Sequence, residues 1–274
     1  MHIEKNVFDN VFNTVMNMKG KTKDNPNARM DLKLFCKRPE LELKECNGKL
    51  ITPKASYSLS KLQLKEVCEW IKDLRLLDGY TVNLACCVNM EDCKLYGLKS
   101  HDCHVFMQRL IPIAFGDYLP KGAWETFTEL SNFFRDLYTT ELRVEHMEML
   151  EKNIVITLCK LEKILIPGFF DSMEHLTVHL PYKAKVGGPV QYRWMYPFER
   201  MMLNLKKKAR NKACVESSIC EAYVLQEISN LCAMYFEPSV QTKFNRVPRQ
   251  DDGGYVDSNG QIYFLPVRSC IWIS

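Results

Sequence analysis

From Lys121 to Leu165 the chain repeats apolar residues every three or four positions, with one short polar break. The first run is Trp124, Phe127, Leu130, Phe133, Phe134 and Leu137; the second is Leu142, Met147, Leu150, Ile154, Leu158, Leu161 and Leu165. That period gathers the side chains on one side of a helix and scatters them over both faces of a strand. The spacing therefore predicts two amphipathic helices, 121–138 and 141–165, whose apolar sides must be covered.

The same period recurs along the chain. In 2–18 it runs through Ile3, Val7, Val11, Val15 and Met18, with Phe8 and Phe12 beside them. Short helices are expected over 28–36 and 84–88. Ser60 with Gln63 is a capping-box pair that opens a helix through Leu64, Val67, Trp70, Ile71 and Leu74. A helix over 101–115 must be kinked or ended by Pro112, and one over 169–180 is ended by Pro181. Gly187-Gly188-Pro189 makes a turn, Gln191–Glu199 opens a further helix, and 218–236 is the last. No strand–helix alternation appears, so the expected class is all-α, an irregular multi-helix single domain. Trp70, Trp124, Phe133, Phe134, Leu158, Phe170, Leu176, Trp194 and Tyr196 are its expected core. Residues 238–274 are rich in Gly, Asp and Asn and read as a flexible tail with at most a short strand near 262–267.

Hydrophobic residues make up 46% and charged residues 26%, which suits a soluble globular protein. No run of ~18–20 apolar residues is present to span a membrane. The twelve cysteines stand in a chain whose first residues do not read as an export signal. They are expected to be reduced thiols in cytosol or nucleus. The net charge of +4 permits a nucleic-acid partner without arguing for one. Its densest part is Arg200, Lys206, Lys207, Lys208, Arg210 and Lys212. These residues read as cations at a helix C-terminus, where they are favoured without any ligand, or as a weak, non-specific contact to DNA phosphates.

Two groups contain metal-ligand residue types. His175 and His179 are four apart on one helix face. A zincin helix carries Glu directly after its first His, and Leu176 stands there instead, so the pair reads as a hydrogen-bonded one, with metal as the alternative. His101, Asp102, Cys103 and His104 are consecutive and cannot all point one way, so they too read as a helix start, with Asp102 on the dipole and His104 bonding it locally. No Gly-rich phosphate loop, Ser/His/Asp arrangement or Cys-x-x-Cys pair appears. No cofactor and no small-molecule substrate is implied.

Four strings carry a resemblance: Met1-His2-Ile3-Glu4-Lys5-Asn6-Val7, Gly97–Val105, Leu176–Leu180 and Gly188–Arg200. They resemble, in order, the transposase-derived proteins of plant CACTA (En/Spm) DNA transposons over roughly residues 1–245. In that family a catalytic transposase domain ends near the first motif, and a domain of unknown function containing the other three follows. The resemblance implies a remnant of the catalytic domain over 1–20, a helical transposase-associated domain over 21–237 and a tail over 238–274. It also implies a nuclear location. The family's nucleases are thought to use three carboxylates and two divalent ions. Only Glu4 falls where the last of them is expected, and on residues alone it reads as a solvated first-turn acid. The expectation is a truncated copy: a non-catalytic accessory domain that contacts DNA or a transposase-related protein. The alternatives are a nuclease fragment that takes its missing aspartates and divalent metal from another segment, or a transposon remnant with no selected function.

Overall fold

The computed structural model describes residues 2–35, 37–46, 49–74, 76, 84–237, 239–242, 255–256 and 262–263. Helices dominate, in the order α1 His2–Val15, α2 Pro26–Phe35, α3 Lys61–Asp73, α4 Ser100–Val105, α5 Ile111–Phe115, α6 Lys121–Leu137, α7 Val144–Ile164, α8 Ser172–Leu176, α9 Leu180–Gly187, α10 Tyr196–Lys208 and α11 Val215–Ala233. Strands form three short antiparallel pairs: β1 Lys44–Cys46 with β2 Lys49–Ile51, β3 Val88–Asn89 with β4 Lys94–Leu95, and β5 Tyr255–Val256 with β6 Ile262–Tyr263. The class is all-α. The described residues divide into two compact units, one within 2–192 and the other within 193–263.

In the first unit, α1 packs against α4 and α8, and α7 lies between α6 and α9. The helix expected over 2–18 is α1, and it is built into this unit. Its core is aromatic where α1 meets the segment around residue 106: Phe8 stacks on Phe12 at 5.3 Å, and Phe106 stands edge-on to Phe12 at 5.2 Å. Such pairs contribute ~0.5–1.5 kcal/mol beyond the area they bury. Ser60 and Gln63 make the expected capping box: the Gln63 amide donates to Ser60 Oγ at 3.3 Å, and the Ser60 amide donates to Gln63 Oε1 at 2.8 Å. A buried polar knot ties α2 to its surroundings. Arg29 donates to both oxygens of Asp24 at 2.6 and 2.7 Å, Tyr57 donates to the same carboxylate at 2.9 Å, and Arg29 also reaches the Leu41 carbonyl. Burial, with Asp24 beside it, pushes the Tyr57 hydroxyl well above its ordinary range.

Prolines account for the main departures from the expected helices. The predicted 101–115 helix is three pieces: α4, a π-helical segment Phe106–Leu110, and α5, with Pro112 in the first turn of α5. A proline has no amide to donate and fits a first turn, so the register shifts ahead of it. The Pro112 carbonyl accepts from the Trp124 indole at 2.8 Å. Pro181 likewise starts α9 rather than ending a helix, and the predicted 169–180 helix is α8 followed by a 3₁₀ turn Thr177–His179. After Gly188, whose φ of +74° suits glycine, residues 190–192 form a 3₁₀ turn. The next α-helix starts at Tyr196, with Pro197 in its first turn, not at Gln191.

Of the nine expected core side chains, Phe133 and Phe134 are buried, whereas Trp70, Trp124, Leu158, Phe170, Leu176 and Trp194 are half-buried. The side chain of Tyr196 lies outside the described residues. Trp194 belongs to the second unit, so the expectation of one core holding all nine is corrected. Within the tail, β5 and β6 pair Tyr255 with Tyr263 and Val256 with Ile262; the rest of 243–274 lies outside the described residues.

Candidate functional site

Glu4 is not a solvated acid. It lies four residues before Phe8, seven before Val11 and eleven before Val15, on the stripe that α1 turns inward. Its side chain is 1% exposed. One oxygen accepts from His104 Nδ1 at 2.7 Å and the other from Gln108 Nε2 at 3.0 Å. For that first bond Nδ1 must carry the ring proton. Gln108 sits in the π-helical segment and also reaches the Phe134 carbonyl at 3.4 Å, and the Tyr138 ring stands edge-on to His104 at 4.9 Å. The partner of His104 is therefore Glu4, 100 positions away, rather than Asp102. Asp102 instead caps α4, accepting the Lys99 amide at 3.0 Å.

This cluster joins the first and second strings of the sequence resemblance. Chemically, a carboxylate holding a histidine in one tautomer can poise a base. Here both carboxylate oxygens are taken by α4 and the π-helical segment, and His104 is only 14% exposed. The arrangement is a clamp between α1 and the 100–110 segment. Of its neighbours, His101 is half-buried with its ring 6.2 Å from that of His104, and Cys103 is buried, its thiol pushed up to about 12 by burial.

His175 and His179 stand together and exposed, their Nε2 atoms 3.4 Å apart and their rings edge-on. A bond of that length between the two Nε2 atoms requires one ring to donate and the other to accept. Among the described residues no group of three His, Cys, Asp or Glu side chains is placed to hold a metal ion. The same helix begins with a second acid cluster. Asp171 caps α8 through the Met173 amide at 2.7 Å and pairs with Lys23 at 2.8 Å, while Glu174, 2% exposed, accepts from Asn10 at 2.8 Å. A cleft of about 450 Å³ lies elsewhere in this unit, beside Tyr57, Thr126, Glu129 and Lys160. Two of its charges, Glu129 and Lys160, pair at 2.5 Å, and Glu40, Glu125 and Lys163 line it as well.

The basic residues expected to act together belong to the second unit. Arg200, Lys206, Lys207 and Lys208 are on α10; Arg210 and Lys212 follow it in the connection to α11. Three consecutive helical residues step round the axis by about 100° each, so Lys206, Lys207 and Lys208 point in different directions rather than along one phosphate-facing line. Lys208 is engaged over the Tyr223 ring at 4.5 Å. What the sequence reading missed is the apolar surface of the same two helices. Phe198, Met201, Met202 and Leu203 on α10, and Val224, Leu225, Ile228 and Leu231 on α11, are all more than half exposed, and no described residue of α11 is buried. Helical periodicity showed that these residues share faces; it carried no sign of what lies against them.

A family model described as a domain of unknown function, DUF4218, matches residues 137–251. The matched stretch contains α7–α11 and the third and fourth strings of the resemblance, but not the first two. No curated protein and no solved structure matches the chain. Among the described residues no helix is long and apolar enough to cross a membrane.

Proposed function

We propose that this chain is a non-catalytic, transposase-derived accessory module that works in the nucleus by protein contact, through the surface of α10 and α11. The observation that supports it is the exposure of both helices. Nineteen residues of α11, with Val, Ile, Leu and Tyr on several sides, leave their large apolar groups in water. A helix that is apolar all round is ordinarily a covered one. The directions of Lys206–Lys208 favour a protein over a DNA backbone as the cover. The engagement of both Glu4 oxygens supports a structural role for that acid, in place of the metal-binding one the nuclease alternative would give it.

A photocrosslinking amino acid placed at Leu225 or at Met202, in cells expressing the full chain, tests this reading. Both positions should give an intermolecular protein adduct of one discrete mass, abolished by Ile228→Glu. Lys152, exposed on α7, should give none. Adducts only within the chain, or adducts to DNA, would overturn the reading.

A further inference from the structure

The two exposed helices differ in charge as well as sharing apolar faces. Helix α10 carries Glu199 against Arg200, Lys206, Lys207 and Lys208, one acid and four bases, for a net +3. Helix α11 carries Glu216, Glu221 and Glu227 and no Lys or Arg, for a net −3. Among the described residues, Lys206, Lys207, Glu216, Glu221 and Glu227 take part in no ion pair. On α11, Val224, Ile228 and Leu231 recur at i, i+4 and i+7, an exposed stripe, while Ile219, Ala222 and Ala233 lie half-buried. Glu221 and Glu227 border that stripe on either side, as charged residues border a helix–helix seam.

We propose that a second copy of this chain covers this surface, α10 of each copy lying along α11 of the other in a two-fold symmetric bundle. This rests on the protein-contact reading above and names its partner. A surface with a basic and an acidic helix side by side is complementary to itself when turned through a two-fold axis, because each +3 helix then meets a −3 helix. The area suffices. At more than half exposure each large apolar side chain offers on the order of 100 Å². Leu203 and Leu225 step about 100° away from Met202 and Val224 and leave these faces. The remaining six reach about 600 Å² per partner, about 1,200 Å² in total, the lower end of the range for a specific interface. The interface has an apolar centre and a charged rim, the anatomy of stable protein contacts.

Sedimentation velocity of the purified full chain over a concentration series tests the proposal. The chain should sediment as a dimer that dissociates on dilution. Ile228→Glu with Leu231→Glu should return it to monomer without altering its far-ultraviolet circular dichroism. Two charge-reversed variants, Lys206→Glu/Lys207→Glu and Glu221→Lys/Glu227→Lys, should each weaken self-association by roughly tenfold or more. Their equimolar mixture should recover it as a one-to-one heterodimer. A chain that stays monomeric at its highest soluble concentration overturns the proposal, as does a dimer indifferent to all of these changes. If the chain is monomeric while residues 202 and 225 still crosslink to another protein in cells, the copy is the wrong partner and the contact reading stands. If they crosslink only within the chain, both readings fall.

Discussion

Replacing Glu4 by alanine removes the only carboxylate of the clamp between α1 and the 100–110 segment. In the folded chain it accepts two hydrogen bonds, from His104 at 2.7 Å and Gln108 at 3.0 Å, at 1% exposure. A hydrogen bond to a charged group contributes about 1.5–3 kcal/mol. Truncation also leaves two donors without an acceptor, in surroundings that admit little water. Glu4→Ala should therefore cost roughly 3–5 kcal/mol, the range for breaking a buried pair. Glu4→Gln keeps the volume and one acceptor oxygen and should cost about 1.5–3 kcal/mol, one charged bond. Urea unfolding followed by circular dichroism measures both. A double-mutant cycle with Gln108→Ala should show coupling of about 0.5–3 kcal/mol, because the two side chains touch. A cost for Glu4→Ala within ~0.5 kcal/mol, the range of ordinary surface changes, would refute the reasoning and return Glu4 to the solvated acid its position in the first turn suggests.

Burial pushes the thiols of Cys68 and Cys103 up to about 11 and about 12. Both should resist iodoacetamide at pH 8 in the native state, while the exposed Cys46, Cys86, Cys159, Cys214, Cys220 and Cys232 are alkylated, as read by peptide mass spectrometry. For Asp171, burial acts to raise the carboxyl, but the hydrogen bonds donated by Lys23 and by the Met173 amide outweigh it and hold it down at about 2. Because the folded group binds its proton less tightly than the unfolded one, its stabilisation is full above about pH 4 and is lost as pH falls towards 2. Asp171→Ala should cost about 1 kcal/mol at pH 7, the usual worth of an N-cap, and the gap to wild type should narrow across pH 4 to 2. A gap independent of pH would exclude the charged cap. Changing Lys206, Lys207 and Lys208 to Gln should leave duplex DNA affinity, and its dependence on salt, unchanged in fluorescence anisotropy. A wild-type slope of about −3.5 to −4.5 that shrinks by about 2.7 in the variant would instead assign phosphate contacts to these three lysines.

Periodicity made the α6–α7 pair legible to within a few residues, since both helices turn one continuous apolar face to a core. The capping box at Ser60 was legible because its two bonds span only three positions. The Glu4 clamp was not read, although a signal existed: residue 4 is in phase with Phe8, Val11 and Val15. The stripe through Val7, Val11, Val15 and Met18 is buried as expected, but its first member, Ile3, is only half-buried, and Glu4 takes the inward position there. Its partner His104 carries no local sign, because 100 residues separate the two. Prolines misled in a consistent direction. Pro112, Pro181 and Pro197 all occupy first turns, where a missing amide does no harm, and the last two were read as stops or as helix interior. For α10 and α11, residue spacing shows an apolar face but not whether the chain itself covers it.

Amide hydrogen exchange across Val215–Ala233 of the purified full chain, measured at low and at high protein concentration, tests the central claim most directly. If a second copy covers these helices, α11 amides should slow markedly as concentration rises, while those of α6 and α7 should stay unchanged. Exchange over α11 that is the same at every concentration would contradict the account.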